Sequence, residues 1–178
     1  MSESFTLAAP RFVPPLDPGF RPAKLANDAF LAAVDAAGSV PLVLGLERGD
    51  GGASRFETRV FPEGHPQAEA NKVYAERLVK FLLWQRGGCT VYVGGPASVG
   101  AYIAECYRPE GARAFDYHFM GEDVYEKTFK VVSCAAEDVP AEKEASKPLG
   151  RHLEGCRIGF DLGASDRKVS AVVDGEAV

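Results

Sequence analysis

The sequence predicts an α/β fold, a mixed sheet with helices, followed by a separate β-hairpin at its end. Apolar strand-like runs alternate with runs of helical spacing, the pattern that lays helices on a sheet. Hydrophobic residues make up 46% and charged residues 25% of the chain, a balance that buries a core and excludes a largely disordered polymer. After Ala135 the composition shifts to Ala, Glu, Lys and Pro before alternation resumes, which marks a linker over 136–155 and a hairpin over 156–178.

Residues 1–37 read as a proline-rich arm and a short helix. Pro10, Pro14, Pro15, Pro18 and Pro22 exclude regular helix or central strand from most of the arm. In "NDAFLAAVDAAG", Asn27 or Asp28 is the expected cap, Phe30, Leu31 and Val34 the apolar stripe, and Gly38 the stop.

An α/β domain is expected over 38–135. "VPLVLGLE" is a buried-type strand joined by the turn "RGDGGA" to "SRFETRVF", where Phe56, Thr58 and Val60 alternate with Arg55, Glu57 and Arg59. This is a hairpin with one wet face. Pro66 in a first turn opens a long helix that ends at Gly87-Gly88, and "CTVYVGG" is a short buried strand. A glycine loop and a helix follow in "PASVGAYIAECYRPEG", with Ser98 as cap and Pro109 beyond the end. "ARAFDYHFM" and "VYEKTFKVVSC" both alternate, and "GED" between them reads as the turn of an antiparallel pair.

Several function classes are excluded on composition. A net charge of −5 and the lack of clustered Lys and Arg give no footprint for nucleic acid. No run approaches the roughly 20 apolar residues of a membrane span, and "MSESFTLAAPRFVPPLDP" lacks the basic start and apolar core of a signal peptide; the cytoplasm is the expected location. Cys89, Cys106, Cys134 and Cys156 form no C-x-x-C pair and read as reduced thiols.

Candidate chemistry is sparse before the linker. His65, His118 and His152 are scattered without metal-ligand spacing, His118 falling on a predicted strand. "RGDGG" lacks the alternate oxygen ligands of a calcium loop, and no Ser-His-Asp or Cys-His set can be assembled. The Gly94-Gly95 loop enters a helix whose free N–H groups favour an anion. It lacks the Gly-Lys-Ser/Thr ending of a phosphate loop, and a tight strand-to-helix connection explains the same glycines.

The last stretch carries the strongest motif. In "GCRIGFDLGASDRKVSAVVDGEAV" an apolar strand ends at Asp161, a small-residue turn follows, and Val169, Ala171 and Val173 alternate until Asp174-Gly175. Such a turn brings backbone N–H groups and a Ser hydroxyl close to phosphate oxygens, while a carboxylate at the strand end holds Mg²⁺ directly or through water. These residues resemble the first phosphate motif of the actin, hexokinase and Hsp70 superfamily, and most closely that of the ROK family of sugar kinases and related repressors.

The resemblance implies that Asp161 is the metal-associated acid, Gly163 the turn glycine, Ala164 the second glycine and Ser165 the phosphate-facing hydroxyl. Asp166 and Arg167 depart from the family pattern. ATP and Mg²⁺ are the implied cofactors and a sugar the implied substrate. The family places this motif at the start of its first lobe, so the resemblance implies the N-terminal part of a longer protein, itself inactive, with natural truncation as the alternative. "LGLERG" echoes "IGFDLG", setting Glu47 against Asp161 and Gly49 against Gly163. On that echo, 38–135 is a degenerate actin-like (ribonuclease H-like) lobe and the terminal hairpin begins a second actin-like domain; the competing expectation is a non-catalytic ligand- or partner-binding module.

Overall fold

The computed structural model describes residues 9–143 and 152–178. The chain divides into two compact units, Met1–Glu144 and Ala145–Val178.

In the first unit, helix α1 (Ala23–Ala37) is entered from Pro22, whose φ of −58° already suits a helix. It starts four residues before the expected cap, so Asn27 and Asp28 lie inside it. Asp28 there accepts from Lys24 Nζ at 2.8 Å, one turn away. Phe30 and Val34 are its buried residues, and Gly38 ends it at φ 85°, where only glycine is free of strain.

Strands β1 (Val40–Glu47) and β2 (Ala53–Val60) form the predicted hairpin, in register from Val40↔Val60 to Glu47↔Ala53. Helix α2 (Glu69–Arg86) begins after Pro66, which sits in the preceding turn, and stops at Gly87 with φ 74°. Buried Asn71 on α2 accepts the Phe61 N–H at 3.0 Å and donates to the Phe61 carbonyl at 2.8 Å. That pair satisfies the backbone just past β2, where the ladder has ended. Strand β3 (Thr90–Gly94) and helix α3 (Ala97–Cys106) follow as expected.

The segment after α3 corrects the sequence reading. "ARAFDYHFM" and the "GED" behind it are helix α4 (Ala114–His118) running into a π-helix (Phe119–Val124); strand β4 is confined to Lys130–Cys134. The aromatic alternation coincides with helical spacing: Asp116 and Met120 are buried one turn apart, while Phe115 and Phe119 stack on each other and on Trp84. Tertiary contact with α2 decides in favour of helix. Gly121 is required there, because a Cβ would lie 2.8 Å from the Lys127 carbonyl.

The mixed sheet has the order β2-β1-β3-β4, with β1–β3 antiparallel and β3–β4 parallel. One face presents Leu42, Leu44, Leu46, Val91 and Val93 to the apolar sides of α1, α2 and α3. At 25 cal/mol per Å² of apolar surface, each such fully buried side chain contributes about 1.5–3 kcal/mol before entropy is charged against it. The other face is crossed by residues 136–143. Val139 is 3% exposed and fills the space over Gly45 and Gly94, the Arg55 guanidinium donates to the Val139 carbonyl at 2.7 Å, and Lys143 pairs with Ala53. The first part of the stretch whose composition reads as linker, residues 136–143, therefore lies on the sheet as a strap, while 144–151 fall outside the described residues.

The second unit is an antiparallel sheet of β5 (Cys156–Leu162), β6 (Arg167–Val173) and β7 (Glu176–Ala177). Asp174 and Gly175, at φ 49° and 89°, make the tight turn between β6 and β7. Cys156, Ile158, Phe160 and Leu162 share one face with Val169, Ala171 and Val173; Arg157, Gly159 and Asp161 share the other with Lys168, Ser170 and Val172.

Candidate functional site

The β5–β6 hairpin carries every site residue that the sequence singles out. Asp161 stands one residue before the end of β5, opposite Lys168; Gly163, Ala164 and Ser165 form the turn, all of them exposed. Alternation puts the Asp161 carboxylate on the polar face, away from Phe160 and Leu162. Lys168 Nζ lies 3.7 Å from Asp161 Oδ2 and 3.1 Å from Asp166 Oδ2. A Cβ on Gly163 would come within 2.7 Å of Asp166 Oδ1, the end of an exposed side chain that can swing away, and 3.1 Å from the Asp166 carbonyl. The rim is an exposed carboxylate held beside an ammonium group, next to a small-residue turn. A divalent cation at Asp161 would compete with Lys168, since no group of three or more His, Cys, Asp or Glu gathers for a metal among the described residues.

The glycine loop between β3 and α3 serves another purpose. The Ser98 N–H donates to Glu63 Oε1 at 2.8 Å, so this helix N-terminus already holds a carboxylate of the same chain. Hydrogen bonds from the Ser98 N–H and hydroxyl lower the Glu63 pKa; burial opposes them, and the Ala97 N–H adds a lesser lowering. Ser98 itself is inside α3, whose N-cap is Pro96, and no side chain of the helix caps it. Gly94 has a packing role: a Cβ there would meet Val139 Cγ2 at 2.4 Å.

The histidines are placed as structural groups. His65 stacks on Phe61 with centroids 4.6 Å apart and accepts the Gln67 N–H at 3.2 Å. His118 lies in α4 rather than on a strand, its Nδ1 3.0 Å from Glu122 Oε1 and its Nε2 3.2 Å from the Pro109 carbonyl. The Glu122 carboxylate, with help from that carbonyl, raises its pKa above the ordinary 6.5. The His152 carbonyl accepts Arg157 Nε at 3.0 Å.

Two arrangements are invisible to motif reading because they are assembled across elements. The first is a groove of about 360 Å³ lined by Glu47, Arg48, Cys89, Thr90, Lys127, Thr128 and Lys130. The second surrounds Asp116, 1% exposed, which accepts Trp84 Nε1 at 2.7 Å and Lys80 Nζ at 3.1 Å. Trp84, Phe115 and Phe119 lie parallel beside it, with Trp84, Phe115 and neighbouring Phe81 exposed. The thiol of Cys89 at the groove floor is pushed up in pKa chiefly by burial, as befits an unreactive cysteine.

No family model matches the chain, and neither a curated protein nor a solved structure shows significant similarity to it. Among the described residues no helix is long and apolar enough to cross a membrane.

Proposed function

We propose that residues 156–178 are the phosphate-side hairpin of a ROK-like nucleotide-binding domain, and that the intact protein is a sugar kinase or related regulator. The observation that carries this reading is the placement of Asp161 on the polar face near the end of β5, one residue before a small-residue turn that holds Gly163, Ala164 and Ser165. Hard oxygen donors and open backbone N–H groups suit a magnesium-bound phosphate. When bound, Mg·ATP would supply the transferable phosphoryl group and the metal charge. Asp161 would hold the metal directly or through water, and Gly163, Ala164 and Ser165 would face the phosphate oxygens. The apolar face of the same hairpin, with Ile158, Phe160, Leu162 and Val169 exposed, supports a sheet built to be covered by a further layer.

The echo between the units supports reading residues 38–135 as a degenerate actin-like lobe in which Glu47 has lost a metal role. Its carboxylate accepts the Tyr92 hydroxyl at 3.0 Å instead. This reading gives the hairpin the phosphate side of the site alone, so phosphoryl transfer is not expected of the hairpin by itself. The test is the protein purified from its native source, assayed for ATP-dependent phosphorylation of a panel of hexoses and for sugar-dependent binding of ATP. Asp161→Asn should abolish the sugar-dependent signal; its absence from the wild-type protein would overturn the reading.

A second reading, a non-catalytic partner-binding module, is favoured by the exposed rings of Phe81, Trp84 and Phe115 on the first unit. Retained partner binding by Asp161→Asn together with loss in Trp84→Ala would select it.

A further inference from the structure

Helices α2 and α4 run side by side in the same direction: Glu76 pairs with Arg113, Lys80 with Asp116, and Trp84 stacks on Phe119. Three aromatic side chains on this helix pair reach the surface, Phe81 59%, Trp84 50% and Phe115 66% exposed. With about 150–250 Å² per ring, they leave on the order of 300–400 Å² of apolar surface uncovered, a patch of the size that on a monomer is often a binding site. The indole is fixed before any partner arrives. Its N–H donates to buried Asp116 at 2.7 Å and its ring lies parallel to those of Phe115 and Phe119. A preordered aromatic anchor loses little freedom on binding.

The charges around the rings are polarised along the helices. Lys80 and Arg113 are spent on Asp116 and Glu76, and Arg86, about 200° round α2 from Trp84, donates to the Arg55 carbonyl at 3.4 Å. The aromatic face keeps Arg77, one turn before Phe81, and Asp123, about one turn after Phe119. Among the described residues neither is in an ion pair; Asp123 adds only the least push to the raised pKa of His118, whose ion-pair partner is Glu122. The face is therefore basic at one end and acidic at the other, with the rings between. Such a surface is complementary to itself turned end for end. A two-fold axis between Phe81 and Trp84 sets α2 of a second copy antiparallel to the first, so that each Arg77 meets the other copy's Asp123. Arg77 stands about 8 Å along α2 from that axis, and Asp123 lies a similar distance beyond it.

We propose that this face joins two copies of the chain in a two-fold dimer, with Phe81, Trp84 and Phe115 at its centre and an Arg77 to Asp123 pair at each end. The proposal names the partner for the surface on which the second reading above rests, and is independent of the motif around Asp161.

The experiment is sedimentation velocity of the full chain from about 1 to 500 μM, with the emission of Trp84, the sole tryptophan, read over the same series. The mass should rise from 19.1 kDa towards twice that value, with a Kd of about 1–100 μM and a blue shift as the indole is covered. Phe81→Ala should weaken association about tenfold or more. Arg77→Glu and Asp123→Arg should each weaken it by about the same factor, because each sets like charges opposite one another at both ends. Mixed together, these two single variants should associate with each other, since every opposed pair is again of unlike sign. The double variant should recover for the same reason. Far-UV circular dichroism identical to wild type establishes that each variant is natively folded. A native chain that stays at 19.1 kDa throughout the series, growth beyond a dimer, a dimer indifferent to Phe81→Ala, or single variants that fail to associate when mixed would each overturn the proposal. A monomeric chain would leave the second reading to be judged with a different partner, whereas an Asp161-dependent sugar signal would overturn that reading and leave the dimer standing.

Discussion

Asp116 combines nearly complete burial with two donors, the indole of Trp84 and the ammonium of Lys80. Removing the acceptor leaves an indole N–H unmatched and a cation without its partner. Asp116→Ala should cost about 2–4 kcal/mol, read as a lower urea midpoint; Trp84 is the sole tryptophan, so its fluorescence reports the change. Asp116→Asn should lose less, because an amide oxygen still accepts. Glu63 gives the pH-dependent counterpart. Its folded pKa lies below the ordinary 4.5, so its stabilisation is present above that value and is lost as pH falls through the folded pKa. Glu63→Gln should therefore lower Tm at pH 7, and the gap from wild type should close in acid; a gap that persists at pH 2 would refute the role. The sequence displayed Ser98 as the natural cap and gave no sign of Glu63, because that contact joins residues far apart in the chain.

At the level of elements, the strands and helices that the sequence displays clearly are those whose local pattern and tertiary setting agree. β1 is a continuous apolar run because it is central and covered on both faces, and α2 and α1 stop at glycines with positive φ. α4 and its π-helical extension were obscured because Phe115, Tyr117 and Phe119 alternate with polar residues, a period of two that only the packing against Trp84 resolves into helix. The β5–β6 pair was legible because its information is local, whereas the short strand β7 beyond the Asp174-Gly175 turn was not foreseen. The groove was not, since its lining comes from three separated segments. The strap was also hidden: its composition is that of a linker, and only the glycine-lined face of β1 and β3 gives Val139 a place. Gly94→Ala should cost about 1–3 kcal/mol by overpacking against Val139. Combined with Val139→Ala it should recover part of that loss, a non-additivity measurable in a urea double-mutant cycle.

For the molecule as a whole, the two units differ in how they are held together. Among the described residues, all of the buried hydrophobic side chains come from the first unit. The second is a three-stranded antiparallel sheet whose strand residues are exposed or, at Ala171 and Val172, half-buried. A sheet of that size, with no layer of its own among the described residues, is marginal in water. Residues 1–144 should therefore unfold in one cooperative transition with the same urea midpoint as the full chain, followed by Trp84 fluorescence. Residues 145–178 alone should show no cooperative melting by circular dichroism. A markedly destabilised 1–144 would show that the first unit depends on the rest of the chain.

The strap also sets an order of events in time. β1 and β2 meet through a short turn, whereas Val139 meets Gly45 across an intervening chain that holds helices and strands. Closing so long a loop gains nothing until the surface it covers exists. Val139 should thus dock after the rate-limiting step of folding, so that loosening it speeds unfolding and leaves the folding rate unchanged. The segment that looks like a tether in the sequence should then act as a latch, with Val139→Ala speeding unfolding in stopped-flow denaturant jumps; an unchanged unfolding rate would refute it.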